Sequence, residues 1–130
     1  MINADPGRVL LVVDDEDDIR VLLQMYLGPA GYDVRTANDG LEALERLADT
    51  HVDLMLLDLR MPKLDGWGVL QRMRDDPKFA AVPTVVLSAH ASPEAARRAL
   101  EAGAVAFLNK PVSQEDLLAL LAEHLDRRDR

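Results

Sequence analysis

The chain has 130 residues, of which 48% are hydrophobic and 29% charged, and its formal net charge is −8. This composition suits one compact domain and argues against a surface that binds nucleic acid or anionic membrane, because such surfaces depend on Lys and Arg. The absence of cysteine excludes disulfides and thiolate chemistry. The start MINADPGR is not a signal peptide, and no apolar run approaches the roughly 20 residues of a membrane span, so we expect a cytoplasmic protein.

Five short apolar runs predict five β-strands: VLLVV (9–13), YDVRTA (32–37), VDLMLL (52–57), VPTVVL (82–87) and AVAFL (104–108). Most of these runs are nearly continuous in Val, Leu and Ile, which is typical of strands that are covered on both faces. YDVRTA alternates instead, as expected of an edge strand with one exposed face.

Segments with helical periodicity separate the runs. The first follows a stretch of acids and ends at Gly28-Pro29. The second helix follows Asp39 and Glu42, a plausible capping box, and the third follows Asp65. The fourth has Ser92 as N-cap and Pro93 at its first position, and the last begins at Ser113. Alternating strands and helices predict an α/β fold, a (βα)₅ doubly wound five-stranded parallel sheet with right-handed crossovers and helices on both faces.

Polar side chains stand where the predicted strands end. They are Asp14 and Asp15 after strand 1, Asp58 after strand 3, Ser88 after strand 4 and Lys110 after strand 5. The carboxyl ends of parallel strands meet at one edge of the sheet, and ligands bind in the crevice beyond that edge. We therefore expect three carboxylates, a hydroxyl and an ammonium group to converge there.

The stretch from Asp14 to Asp18 places five carboxylates directly after a strand. The last three fall in the first helical turn, where the helix dipole favours acids by roughly 0.3–1 kcal/mol each. Asp14 or Asp15 could also simply cap this helix. If both face Asp58, two carboxylates about 4 Å apart repel by roughly 4 kcal/mol at an effective dielectric constant of 20, which leaves a raised pKa or a bound cation. Oxygen ligands without His or Cys favour Mg²⁺, so we predict a magnesium site.

A carboxylate beside such an ion can act as a nucleophile. Asp58 could accept a phosphoryl group to form an aspartyl phosphate. Mg²⁺ and Lys110 would supply positive charge to the phosphoryl oxygens, and Ser88 would donate a hydrogen bond. Taken singly, each residue has a structural alternative: a strand-end carboxylate, a solvated lysine and a hydroxyl that satisfies nearby backbone.

Together, these residues resemble the receiver domain of two-component response regulators, from about Arg8 to Leu125. The resemblance rests on motifs in the same order, which are Asp14-Asp15, Asp58-Leu59-Arg60-Met61-Pro62 with Asp65-Gly66, Ser88-Ala89, and Lys110-Pro111. It implies a flavodoxin-like sheet with strand order 2-1-3-4-5. We expect a single receiver domain over residues 1–130, with a core at about 8–125 and no output domain.

The resemblance implies that Asp58 is the phosphoacceptor. Asp15, Asp58 and the main-chain carbonyl of Arg60 would ligate Mg²⁺ directly, and Asp14 would assist through water. Arg60 and His90 stand at positions that modulate the lifetime of the phosphoryl group in the family. We hypothesise that the guanidinium of Arg60 obstructs the attacking water and slows hydrolysis.

The resemblance also implies the parts of a switch. Ser88 would be the switch hydroxyl, and Lys110 would bind phosphate next to a cis peptide bond to Pro111. Phe107 occupies the position of the aromatic toggle. Phe107 lacks the hydroxyl of the Tyr often found there, so any toggle would work by packing alone.

The function implied is a phosphorylation-switched signalling domain rather than an enzyme that turns over separate substrates. Its phosphoryl donor would be a histidine kinase or histidine phosphotransfer protein. The face of helix 4, strand 5 and helix 5 would bind an unknown downstream protein, and the chain would be a monomer or weak dimer. Two alternatives are a receiver-fold interaction module that is never phosphorylated, and a metal-dependent phosphohydrolase, which would need a second acid near the nucleophile and a substrate pocket.

Overall fold

The computed structural model describes residues 7–128. The two ends of the predicted domain, 1–6 and 129–130, lie outside the described residues. Strands and helices alternate as predicted, and their bounds are β1 Val9–Val13, α1 Asp17–Leu27, β2 Asp33–Ala37, α2 Gly40–Asp49, β3 Leu54–Asp58, α3 Gly66–Asp75, β4 Thr84–Ser88, α4 Pro93–Glu101, β5 Ala106–Asn109 and α5 Gln114–Arg128.

The five strands form one parallel sheet in the order β2-β1-β3-β4-β5. The predicted fold class and strand order are confirmed, and β2 lies at an edge as its alternating pattern indicates. In this register Val13 pairs with Ala37 and Leu57, and Ser88 pairs with Asn109. The carboxyl ends of the four strands β1, β3, β4 and β5 therefore reach the same edge of the sheet.

Alternate strand residues divide the core into two layers, because successive side chains of a strand point to opposite faces. One layer joins the sheet to α2, α3 and α4 and includes Leu11, Val13, Met55, Leu57, Val86, Leu47, Val69, Met73 and Ala99. The other joins the sheet to α1 and α5 and includes Leu10, Val12, Leu54, Leu56, Val85, Leu87, Leu23, Leu27, Leu117 and Leu121. Helices thus cover both faces of the sheet, and the carboxyl ends of the strands are the part of the sheet that they leave uncovered.

Side chains cap four helices: the predicted caps Asp39 and Ser92 are confirmed, and Asp65 and Ser113, predicted only as helix starts, are caps as well. The predicted capping box of α2 is shifted by one residue. Asp39 accepts from the N–H of Glu42, but the Glu42 carboxylate accepts from the N–H of Asn38 at 2.6 Å instead of that of Asp39. Among residues 7–128, no helix is both long and apolar enough to cross a membrane.

Three strands begin two residues later than their apolar runs. The predicted strands 52–57, 82–87 and 104–108 are observed as Leu54–Asp58, Thr84–Ser88 and Ala106–Asn109. Val52 and Ala104 precede β3 and β5 but are buried in the core. Apolar residues just before these two strands are buried as well, so each of these apolar runs begins before its strand does.

Candidate functional site

Asp14 follows β1 and is fixed through both its main chain and its carboxylate. Its N–H donates to the main-chain oxygen of Ala37 at 3.2 Å, and its Oδ1 accepts from the N–H of Glu16 at 2.9 Å. Asp14 is buried, whereas Asp15 is exposed. The N-cap of α1 is Glu16, so neither Asp14 nor Asp15 caps this helix, which was the structural alternative for them.

Asp58 is the last residue of β3 and is 7% exposed. The start of α3 packs directly against it, since the N–H of Gly66 donates to the main-chain oxygen of Leu59 at 2.9 Å. A Cβ on Gly66 would lie 2.6 Å from the main-chain oxygen of Asp58 and 2.7 Å from Cα of Leu59. Gly66 is the first residue of α3, and the lack of space for a Cβ beside the end of β3 is what requires glycine there.

Ser88 ends β4, which pairs directly with the edge strand β5. It is 3% exposed, and its Oγ accepts from the N–H of His90 at 3.1 Å. That bond uses an oxygen lone pair, so the hydroxyl hydrogen can still donate to another group. His90 itself is exposed.

Lys110 follows β5, and its peptide bond to Pro111 is cis, which confirms the expectation from the resemblance. Its Nζ lies 2.7 Å from Oδ2 of Asp14, 3.4 Å from Oδ1 of Asp58 and 4.0 Å from Oε1 of Glu16. Burial lowers the pKa of Lys110, but the hydrogen bond to Asp14 and the charges of Asp14 and Asp58 outweigh it and raise that pKa. Lys110 is therefore a fixed cation at neutral pH.

The carboxylates of Asp14, Asp15 and Asp58 form one cluster, with oxygens that lie within 4.8 Å of one another. Burial raises the pKa of Asp58, and the charge of Asp14 raises it further. Lys110 and the N–H of Arg60 oppose this effect without cancelling it. The cluster therefore carries more negative charge than its one lysine offsets.

The donor chemistry of this cluster fits a hard divalent cation. It offers carboxylate oxygens alone, which Mg²⁺ prefers over the nitrogen and sulfur ligands of softer metals. Burial and the charge of Asp14 both raise the pKa of Asp58, and a bound dication would offset both effects by favouring the charged carboxylate. The residues present thus fit Mg²⁺.

A cleft of about 280 Å³ opens above the cluster, and its lining is Asp15, Glu16, Asp58, Arg60, Ser88, Ala89, His90 and Lys110. Every residue predicted for the site except Asp14 and Phe107 lines it. Asp14 lies beneath as the partner of Lys110. The roles assigned to these residues, including the main-chain carbonyl of Arg60 as a metal ligand, stay predictions.

Phe107 lies away from the cleft, in the middle of β5. It is partly buried against the α2–α4 layer of the core. It also lines a separate groove of about 470 Å³ with Ser92, Pro93 and Ala96 of the β4–α4 region. Open space therefore adjoins Phe107 on the side of α4.

Sequence reasoning missed the contacts that two arginines make near the site. Arg20 of α1 donates to the main-chain oxygen of Asp14 at 2.6 Å. Arg98 of α4 stacks on the ring of Trp67, 3.9 Å from the ring centroid. The spacing of Asp17 and Arg20 on one helix face was a signal for an ion pair, but nothing in it indicates the main-chain contact.

The fold and the strand-end cluster together define a family. The model of the response regulator receiver domain matches residues 10–122. The chain therefore belongs to the response regulator receiver domain family. Members generally use Mg²⁺ at an acidic pocket, and they interact with histidine kinases.

Curated relatives include a kinase and a regulator. The chain is 38% identical over 126 residues to the sensor histidine kinase RcsC of Escherichia coli, which covers 97% of this chain and 13% of that protein. It is 42% identical over 121 residues to the probable transcriptional regulator ycf27 of Porphyridium aerugineum, and this match covers 93% of this chain and 49% of that protein. The chain thus spans about half the length of such relatives, or much less.

Solved structures include chains of similar length. The chemotaxis protein CheY4 of Vibrio cholerae is 33% identical with a TM-score of 0.86, over 92% of this chain and 99% of that one. A putative response regulator from Chloroflexus aurantiacus is 33% identical with a TM-score of 0.87, over 94% and 99%. The fold of this chain is similar to both throughout the aligned region.

Proposed function

We propose that this receiver domain is a phosphorylation switch in which Asp58 accepts a phosphoryl group from a histidine kinase or histidine phosphotransfer protein. One observation carries the proposal. Asp58 lies in an open cleft, next to two further carboxylates and with Nζ of Lys110 at 3.4 Å from its Oδ1. The proposed nucleophile, the proposed metal ligands and the proposed phosphate-binding lysine thus lie next to one another.

Asp14, Asp15 and Asp58 would hold Mg²⁺, with the main-chain carbonyl of Arg60 as a further ligand. When bound, the ion supplies positive charge that offsets the negative charge of Asp58 and of the phosphoryl oxygens. The all-oxygen donor set and the uncompensated carboxylate charge support this assignment.

In the transfer step, a carboxylate oxygen of Asp58 attacks phosphorus while the P–N bond to the donor histidine breaks. The electron pair of that bond stays on the imidazole nitrogen, and an acyl phosphate forms on Asp58. Lys110 is held beside the nucleophile as a cation and can bind an oxygen of the incoming group. The hydroxyl hydrogen of Ser88 is free to donate to another such oxygen.

The proposed switch links this cleft to the face of α4, β5 and α5. Movement of Ser88 towards the phosphoryl group would displace the loop before α4, which shares a groove with Phe107. Phe107 would then shift inward and change that face, where Glu94, Arg97 and Glu101 are exposed for a downstream protein. The phosphoryl group needs only to favour one of two arrangements. The cytoplasmic location stays a prediction.

Acetyl phosphate with Mg²⁺ tests the proposal directly. Intact-mass spectrometry should show a gain of one phosphoryl group in the wild type and none in Asp58→Asn. Asp75→Asn, which changes an exposed carboxylate at the end of α3, is the matched control and should be labelled like the wild type. A wild type that takes up no phosphoryl group would instead favour the interaction module that works without phosphorylation.

A further inference from the structure

Arg20 makes two directed contacts from the first turns of α1 back to the acidic loop. Its Nη1 donates to the main-chain oxygen of Asp14 at 2.6 Å, and its Nη2 pairs with Oδ1 of Asp17. Only 14% of the Arg20 side chain is exposed, whereas 85% of the Asp17 side chain is. The guanidinium group therefore packs against the loop, and its bond to the main chain is the shielded one of the two.

The main-chain oxygen of Asp14 belongs to the peptide unit that leads into Asp15. The other polar groups of Asp14 are fixed from other directions, by Ala37, Glu16 and Lys110. Arg20 therefore fixes the orientation of the Asp14–Asp15 peptide. That orientation decides whether the exposed Asp15 carboxylate points towards Asp58.

The bond from the N–H of Glu16 to Oδ1 of Asp14 also spans Asp15, but it does not reach the main-chain oxygen of Asp14 that Arg20 binds. Glu16, the N-cap of the helix, makes no side-chain capping bond. Five consecutive carboxylates repel one another and favour an open loop. A cation that is anchored to the main chain within that loop opposes its opening.

We propose that Arg20 is a positioning residue for the divalent-cation site, which holds Asp15 beside Asp14 and Asp58 and thereby strengthens Mg²⁺ binding. The inference rests on the proposed function in one respect, namely that this cluster binds Mg²⁺. The effect proposed for Arg20 on Mg²⁺ affinity is opposite in sign to the effect of its charge alone. A positive group near a cation site weakens cation binding, so charge alone predicts that a neutral residue at position 20 tightens it.

Isothermal titration calorimetry with MgCl₂ distinguishes the two effects without any phosphorylation. Arg20→Gln removes both the positive charge and the guanidinium group that contacts Asp14 and Asp17. Arg20→Lys keeps the charge but loses the two-point contact. We expect the Kd for Mg²⁺ to rise about 10-fold in both, at the lower end of what is typical when a group that orients a metal ligand is lost. An effect of charge alone would leave Arg20→Lys unchanged and lower the Kd of Arg20→Gln.

Arg46→Gln is the matched control. Arg46 makes the same two kinds of contact from α2, to the main-chain oxygen of Thr36 at 3.4 Å and to the Glu42 carboxylate at 3.1 Å. Its removal should leave the Kd for Mg²⁺ within about twofold, because this residue does not touch the loop of Asp14 and Asp15. A comparable loss of affinity in Arg46→Gln would overturn the assignment to Arg20.

The rate of labelling by acetyl phosphate gives a second readout. Arg20→Gln should need more Mg²⁺ to reach half of its maximal rate, and saturating Mg²⁺ should restore the plateau of the wild type. An unchanged or lower Kd in Arg20→Gln overturns the role of Arg20 while the proposed function stands. A wild type that binds no Mg²⁺ overturns both. If Arg20→Gln does not fold, as judged by circular dichroism, Arg20→Lys decides alone.

Discussion

Nζ of Lys110 lies 2.7 Å from Oδ2 of Asp14, although 96 residues separate the two along the chain. The same atom is 3.4 Å from Asp58, so the lysine is nearer to the buried aspartate than to the proposed phosphoacceptor. Burial and then the charge of Asp14 raise the pKa of Asp58 in spite of Lys110, and Lys110 stays charged. The parallel sheet produces the contact, because it brings the ends of β1 and β5 to one edge.

Replacing Lys110 by Met should destabilise the metal-free protein. The substitution leaves Asp14 and Asp58 without their cation, and we expect a loss of about 2 kcal/mol in the free energy of unfolding, less than for a fully enclosed pair because the cleft is open. Mg²⁺ should bind more tightly to Lys110→Met, since a repelling charge is gone. Urea unfolding in EDTA and calorimetric titration test the two effects. Lys78→Met, at an exposed site, should change neither.

Asp58→Asn should change how stability depends on pH in the absence of metal. The pKa of Asp58 is raised in the folded state, first by burial and then by Asp14. Its favourable contribution is therefore complete below the unfolded value, near about pH 4, and is lost as the pH rises through the folded pKa. From pH 4 to 7 in EDTA, the wild type should lose stability relative to Asp58→Asn. Parallel urea-unfolding profiles across this range would contradict the prediction.

Gly66→Ala should cost more than Gly68→Ala in the same helix. The added Cβ at position 66 meets the main chain of Asp58 and Leu59 at 2.6 and 2.7 Å, and main chain cannot move aside cheaply. At position 68 it meets Cδ1 of Leu64 at 2.4 Å, the end of a flexible side chain. We expect about 2–3 kcal/mol of destabilisation for Gly66→Ala and clearly less for Gly68→Ala, measured by thermal or urea unfolding. Equal destabilisation of the two variants would show that the main chain at the end of β3 can shift to make room for the added Cβ.

Arg60→Ala should shorten the lifetime of the phosphoryl group. Arg60 is exposed and lines the cleft at Asp58 together with His90, where its guanidinium can obstruct an attacking water. Loss of radiolabel from the phosphorylated protein measures the half-life, with Arg72→Ala on the exposed face of α3 as the control. A half-life that is unchanged or longer rules out obstruction by Arg60.

Much of the fold and site follows from local patterns. The continuous Val-Leu runs predict the covered strands, and Asp65, Ser92 and Ser113 mark helix starts through the chemistry of a single side chain. Asp15, Asp58 and Lys110 meet because each follows a parallel strand, and this relation needs only the order of elements. None of these inferences requires the direction of an individual side chain.

The remaining features depend on directions that sequence spacing does not contain. The three-residue spacing of Asp17 and Arg20 is compatible with an ordinary ion pair, yet Arg20 also turns back to the main chain of Asp14. The three-residue spacing of Asp39 and Glu42 predicts a bond back to Asp39, yet the Glu42 carboxylate reaches Asn38. In both cases the backbone path of the preceding loop decides which partner is within reach.

The stack of Arg98 on Trp67 has a practical consequence. Trp67 follows Gly66, which contacts the end of the acceptor strand, and its ring meets a residue of α4 on the other side. Because this is the one tryptophan in the chain, its emission can be recorded without any dye. The protein thus contains an intrinsic fluorophore between the end of β3 and α4, the helix that follows the loop which the proposed switch would displace.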